Sequence, residues 1–293
     1  ANPVSLARAA LPRLREREYR VALKSDGVRY MLMLSLRTDG SPVALMVDRA
    51  RNMYEVQLVA PADHFVKGTL LEGELVWHQP HQTSMIFFAF DAIRLKGNDV
   101  TQRPFIERLD LVSQCIHASD EEFSDDALET AVLETDSIIF AQCDPRILLR
   151  PKRFVDRMHV ARLWNERSTS EHRVDGLILQ CTTSEYTVKA YTPVFKWKDH
   201  ATVDLAGPLA QLRTSSGPLP RTLHDRAVTV LPSKVMPPSD GAVVEYLVLV
   251  SDDTFQLMPV RIRPDKTHPN SLHVVAATLQ DATESIVPEE LAE

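Results

Sequence analysis

The chain has 293 residues, 44% of them hydrophobic and 25% charged, and a net charge of −7. That length predicts two domains, and no stretch approaches the ~20 apolar residues a membrane-spanning helix needs. The acidic balance excludes a broadly cationic surface that clamps nucleic acid through many phosphates, so any polynucleotide contact is expected to be local and salt-sensitive.

Ala1-Asn2-Pro3-Val4-Ser5 carries neither the basic region nor the apolar core of a secretory signal, and no Met, the pattern of a processed end or an excised domain. Residues 4–15 space Leu6, Ala9, Ala10, Leu11 and Leu14 along one helical face, with Pro12 limiting its regularity. From Tyr19 the pattern alternates. Residues 30–36 and 43–47 read as antiparallel strands joined by the turn Thr38-Asp39-Gly40-Ser41. Further strands are predicted at 55–59, 69–77 and 85–93, with 78–84 as a loop.

Residues 104–116 and 154–164 each gather apolar side chains on one helical face and read as covering helices. The acidic stretch 119–126 lacks the glycine and ligand spacing of a calcium loop and reads as a solvated helix start. Beyond Lys198 the chain is rich in Pro, Gly and Ser through Pro238, which places a domain boundary near residue 200. Short strands are expected near 202–205 and 227–231, a hairpin over 243–250 and 255–262, and an acidic helical tail over 276–293.

The three cysteines, Cys115, Cys143 and Cys181, are far apart and form no CxxC pair, so neither a disulfide framework nor a zinc site is expected. His78 and His81 have a metal-like separation with no third ligand, and are read as loop residues.

Six short strings follow one another in an order that describes nucleotide chemistry. Lys24-Ser25-Asp26-Gly27-Val28-Arg29 sets a lysine among charged neighbours; a lysine, with an ordinary pKa of ~10.4, becomes a nucleophile when desolvation or nearby cations favour its neutral amine. Glu74 and Asp175, each beside a glycine in a strand-like run, are candidates to hold a divalent ion that neutralises phosphate charge. In Lys196-Trp197-Lys198 the two amines share one face of an extended segment, which suits a phosphate, while the indole packs on the other. Arg261, Arg263 and Lys266 would grip outer phosphates. Alone, each string is weak. Phe90 could be a core aromatic, and Asp91 fits a structural role.

In this order the set resembles the covalent lysyl-nucleotidyltransferase superfamily of mRNA capping enzymes and polynucleotide ligases, over nearly the whole chain. KxDGxR is matched by Lys24 to Arg29, the GE element by Gly73-Glu74, FDA by Phe90-Asp91-Ala92, DGLI by Asp175 to Ile178, and KWK by Lys196 to Lys198. The ending RxDKxxPN, matched by Arg263 to Asn270, and Val47-Asp48-Arg49 are similar to capping guanylyltransferases rather than ligases. Asp199 stands where a proline is common, and Asp175 of the DGLI element is the shorter Asp rather than Glu; neither departure removes a charge the mechanism needs.

The resemblance implies an α+β architecture. It consists of a nucleotidyltransferase domain over 1–200 with ATP-grasp-like antiparallel sheets and covering helices, an OB-fold β-barrel over 201–272, and a helical tail over 273–293 that packs back on the first domain. It also implies an mRNA guanylyltransferase that needs Mg2+ or Mn2+. Lys24 would attack the α-phosphate of GTP, expel pyrophosphate and pass GMP to the 5′-diphosphate end of RNA. Asp26, Gly27, Arg29, Arg49, Glu74 and Phe90 would bind the nucleotide, with Arg29 and Glu74 on the ribose and Phe90 on guanine. Glu74 and Asp175 would serve the metal, Lys196 and Lys198 the α-phosphate, and Arg261, Arg263, Asp265 and Lys266 the leaving pyrophosphate. The RNA triphosphatase and cap methyltransferase would lie on other proteins or other parts of a longer chain. The setting would be intracellular, nuclear for a cellular enzyme and otherwise a viral compartment. An ATP-dependent polynucleotide ligase is the alternative with the same chemistry. A non-catalytic nucleotide-binding scaffold is a third reading, against which the intact Lys24, Glu74, Asp175 and Lys196 argue.

Overall fold

The alternation that begins at Tyr19 becomes sheet. The computed structural model describes residues 2–79, 84–116, 138–140, 146–188, 190–232 and 241–293. The expectations for 119–126, His81 and Cys143 lie outside these residues; Cys115 and Cys181 are buried thiols. The chain divides into two compact units, one of Ala1–Leu6, Pro12–Trp197 and Pro288–Glu293, the other of Ala7–Leu11 and Lys198–Val287.

The first unit contains β1 (Asn2–Ser5), β2 (Tyr19–Ser25), β3 (Val28–Leu36), β4 (Pro42–Val47), β5 (Met53–Val56), β6 (Leu58–Val59), β7 (Thr69–Trp77), β8 (Ser84–Leu95), β9 (Asn98–Asp99), β10 (Ile139–Phe140), β11 (Arg146–Pro151), β12 (Val155–Asp156), β13 (Val174–Cys181) and β14 (Ala190–Trp197). They form a five-stranded sheet, β1-β14-β13-β2-β12, a larger sheet, β11-β8-β7-β3-β4-β5, with β9 on β8, and a separate pair of β6 and β10. The β3–β4 hairpin turns at Gly40, whose φ of 85° suits a residue without Cβ. Leu32, Leu34, Met46, Leu71 and Phe87 fill the core under the larger sheet, and helix Phe105–Cys115 adds Val112 and Cys115.

Two predicted helices are only partly helical. Val4 and Ser5 pair in parallel with Phe195 and Lys196, so regular helix begins only at Leu11, where Pro12 in the first turn forfeits an N–H that needs no partner. Val155 and Asp156 pair with Val21 and Arg20 at the sheet edge, and the Phe154 ring packs on Phe105 at 5.1 Å. Those contacts hold the start of 154–164 extended, leaving a helix over Val160–Asn165.

The second unit carries β15 (Thr202–Ala206), β16 (Arg213–Thr214), β17 (Gly217–Pro218), β18 (Thr222–Leu223), β19 (Arg226–Val230), β20 (Val243–Ser251) and β21 (Thr254–Ile262) in the sheet order β17-β16-β15-β20-β21-β19-β18. Alternate residues Val203, Leu205, Val244, Tyr246, Phe255 and Leu257 point inward. Helix Leu272–Thr283, capped by Ser271 accepting the Val274 N–H, lays Val275 and Leu279 on them.

Candidate active site

Lys24 is the next-to-last residue of β2, and its neighbour strand β13 carries Asp175. The register sets Val174 opposite Ser25 and Gly176 opposite Lys24, so Asp175 is the extra residue of a β-bulge. A bulge re-aims one side chain. Here Asp175 Oδ1 accepts a 2.7 Å hydrogen bond from Lys24 Nζ, with the two side chains 24% and 21% exposed, open enough for a small molecule to reach.

Gly27 brings a second strand into range. It turns the chain from β2 to β3 so close to β7 that a Cβ would stand 2.5 Å from the Leu75 carbonyl oxygen, so a side chain here would force the strands apart. Asp26 secures the other flank: its N–H donates to the Arg173 carbonyl at 2.9 Å, and its carboxylate meets the Arg173 guanidinium at 3.3 Å. On β7, Gly73 sits where a Cβ would lie 2.4 Å from the Phe87 ring. Across β3, β7 and β8 the register then sets Arg29, Glu74 and Phe88 in one row. Burial pushes the Glu74 carboxyl above its ordinary range, Lys152 and Lys24 pull it back, and Asp175 adds to the rise.

Lys152, outside the predicted set, joins this cluster. Its backbone N–H donates to Ala89 at 2.7 Å, its ammonium donates to Ser25 Oγ, and it stands 4.8 Å from the centre of the Phe88 ring. Burial lowers the ammonium from 10.5 to about 8, and Lys24 adds to the fall while Glu74 and Asp175 oppose it. His172 packs on Phe88 at 4.8 Å, and burial, with Lys152 beside it, lowers its imidazole to about 4. A cleft of about 380 Å³ borders this cluster, lined by Leu23, Phe88, Lys152, Glu166, Glu171 and His172 among others, and Lys24, Glu74 and Asp175 are not part of its lining. A larger apolar groove of about 570 Å³ beside β4 and β5 contains none of these residues.

Phe90, half-buried, occupies a second bulge: Ala89 lies opposite Gly73 and Asp91 opposite Glu72. Asp91 is structural, accepting from buried Arg108 through Nε at 2.7 Å and Nη2 at 3.0 Å. Lys196 lies opposite Ile178, which lies opposite Ala22, so Lys196 and Lys24 share a sheet face. Trp197 points the other way and packs edge-on to Trp164 at 5.0 Å. Lys198 is exposed just past the strand end, and Arg49 is exposed in the β4–β5 turn, at the end of the sheet where Met31 meets Val47.

In the second unit, Arg261 Nε donates to Glu245 at 2.6 Å, Arg263 Nη1 lies 3.3 Å from Asp204 and its Nη2 2.8 Å from Asp265, and Lys266 pairs with Asp204. Asp204 and Glu245 are buried. Burial raises the Glu245 carboxyl, yet hydrogen bonds from Arg261 and Thr202 hold it below its ordinary value. Hydrogen bonds from Arg263 lower Asp265 to about 2. Asn270 closes the motif by accepting from the Asp204 N–H at 2.7 Å.

The residues that sequence reasoning passed over had unequal signals. Asp204 and Glu245 interrupt alternating apolar runs, which marks a buried charge needing a partner. Lys152, in the run Arg150-Pro151-Lys152-Arg153, reads as one more exposed cation and carries no such signal.

Among the described residues no helix is long and apolar enough to cross a membrane, and no group of three or more His, Cys, Asp or Glu is placed to hold a metal ion. The family described as mRNA capping enzyme, catalytic domain, matches residues 1–200. The mRNA-capping enzyme subunit alpha of Neurospora crassa is 28% identical over 68% of this chain and 50% of its own length, so the chain spans about half of that relative. The subunit of the same name from Schizosaccharomyces pombe is 25% identical over 99% of this chain and 78% of its own length. The mRNA-capping enzyme of Caenorhabditis elegans is 24% identical over 98% of this chain and 48% of its own length. Among solved structures, a mycobacterial DNA ligase D complexed with ATP and MES is similar at 14% identity and a TM-score of 0.49, covering 91% of this chain and 94% of that one.

Proposed function

The chain belongs to the mRNA capping enzyme catalytic-domain family, and we propose that it is an mRNA guanylyltransferase, moving GMP from GTP through a lysyl intermediate to the 5′-diphosphate end of RNA. The observation that carries the reading is Lys24 Nζ at 2.7 Å from Asp175 Oδ1, with Glu74 and Lys152 close enough to perturb one another's charge. Lys24 Nζ forms the N–P bond to the α-phosphorus as the bond from phosphorus to the pyrophosphate oxygen breaks. Asp175 Oδ1 is the acceptor at hand for the proton that Nζ sheds. RNA diphosphate oxygen then displaces the lysine, and the 5′-5′ triphosphate bridge results.

Glu74 and Asp175 fit a divalent ion of the kind held by one or two carboxylates plus substrate phosphates, because they are near enough to raise one carboxyl's proton affinity. Mg2+ or Mn2+ held there would offset triphosphate charge and assist departure of pyrophosphate. Arg29 and Glu74 serve the ribose, Phe90 the base, Lys196 and Lys198 the α-phosphate. Arg261, Arg263 and Lys266 serve the outer phosphates, with Asp265 orienting Arg263. The second unit is read as the OB-fold domain that carries this last set.

Lys152 supports GTP over ATP. A purine stacked beside Phe88 and Phe90 would meet a buried ammonium, and guanine offers the adjacent acceptors O6 and N7 where adenine places a donor next to N7. Incubation with α-labelled GTP and Mg2+ or Mn2+ is expected to give an acid-labile, base-stable GMP adduct that Lys24→Ala abolishes while GTP binding persists. Labelling with ATP in place of GTP would select the ligase alternative, and equal labelling of Lys24→Ala and parent would end the lysine assignment.

A further inference from the structure

A network of side chains the mechanism above does not use, Glu72, Tyr186, Asp91 and Arg108, stands behind one residue that it does use, Arg29. In the β3–β7 register Arg29 lies directly opposite Glu74, yet its guanidinium pairs with Glu72, one step diagonal on the same strand face. Glu72 is 2% exposed, and it also accepts a hydrogen bond from the Tyr186 hydroxyl. Tyr186 is itself anchored, its N–H donating to the Thr101 carbonyl at 2.8 Å and its ring lying 5.9 Å from the Arg108 guanidinium. Arg108 is held by Asp91, which lies opposite Glu72, and by the Ser184 carbonyl at 2.9 Å. Two buried carboxylates therefore sit side by side, each with its own guanidinium, and Tyr186 stands between the pairs. Arg29 reaches onward to Asn2 Oδ1 at 2.9 Å, so its outer edge faces away from Glu72.

Cross-strand neighbours of opposite charge attract when nothing else holds them. Without Glu72, Arg29 would fall onto Glu74 and occupy the carboxylate that the nucleotide needs. We propose that Glu72 and Tyr186 are positioning residues that hold Arg29 off Glu74, so that both face the ribose of the bound nucleotide. The inference rests on the guanylyltransferase reading and names two residues that act through Arg29.

The test compares GTP with 2′,3′-dideoxy-GTP as donors for the covalent adduct in the full chain, in the parent and in Glu72→Gln, Tyr186→Phe and Arg29→Ala. The preference for GTP is a ratio within one sample, so it does not move with the fraction of protein folded. The parent is expected to prefer GTP, Glu72→Gln to lose about tenfold of that preference, as for a hydrogen bond to a charged group, and Tyr186→Phe about threefold. Adding Glu72→Gln to Arg29→Ala should cost nothing further in the ratio, since the same contact is already gone. A parent that forms adduct without ribose preference, or a Glu72→Gln that keeps the full preference, overturns the inference. If Glu72→Gln gives no adduct with either donor, Tyr186→Phe decides by the same ratio. A parent that forms no adduct fails the guanylyltransferase reading instead.

Discussion

Replacing Lys152 with Met is expected to stabilise the first unit while removing its choice of nucleotide. Burial lowers the ammonium from 10.5 to about 8. At about 1.4 kcal/mol per pH unit, keeping that charge in the folded state at pH 7 costs about 3 kcal/mol. Met has a similar reach and no charge, so it removes up to that penalty. Glu74 then keeps Lys24 but loses its second cation, which subtracts from the gain. The sign in pH follows from proton counting. Between the folded value near 8 and the unfolded value near 10.5 the unfolded chain binds more protons, so the parent gains stability as pH rises through that window. The advantage of Lys152→Met is therefore largest at pH 7 and shrinks towards pH 10. Urea denaturation at the two pH values, followed by emission from buried Trp164 and Trp197, measures it. Labelling with GTP and ATP on the same samples reads the loss of selection. A variant less stable than the parent at pH 7, an advantage that does not shrink with pH, or an intact preference for GTP would each contradict the account of this lysine.

Asp91→Asn should cost about 3 kcal/mol or more, because it leaves Arg108 charged and wholly buried without its carboxylate; the urea midpoint of the first unit reads this, and a loss under 1 kcal/mol would show the pair to be dispensable. Arg263→Ala and Lys266→Ala should slow charging with GTP by about tenfold or more, the worth of a charged hydrogen bond, while transfer from preformed enzyme-GMP to diphosphate RNA changes little. Equal damage to the two steps would mean these side chains do more than orient pyrophosphate.

Much of the sheet was legible because its residues obey one rule. Residues 69–77 alternate around Glu72 and Glu74 and form β7 with the expected bounds, and the 243–250 and 255–262 pair is the β20–β21 hairpin, each strand one residue longer. The failures come where a local pattern meets a distant partner. Apolar spacing over 4–15 is helical, but a strand end at Phe195 and Lys196 offers backbone groups to Val4 and Ser5, and those hydrogen bonds outweigh a short helix that is marginal alone. The same competition, from Val21 and Arg20, takes the start of 154–164.

The site divides along a different line. Motif order told which strands matter, yet not what each carboxylate does, since Glu72, Glu74, Asp91 and Asp175 are alike as letters. Their roles separate by register and partner. Asp91 and Glu72 lie opposite one another, buried, and each binds a guanidinium. Glu74 and Asp175 instead meet lysines at the open end, one through its place in the strand row and one through a bulge. Two of the candidate site residues, Phe90 and Asp175, sit at bulges, and a bulge shifts which face a side chain takes without changing the residues around it. An alternation rule read along the sequence therefore carries the wrong face across each bulge, as at Asp91, which shares a face with Phe88 three residues before it. The hydrogen bond between Lys24 and Asp175 depends on that displacement, for without it Asp175 would follow strand parity away from the amine.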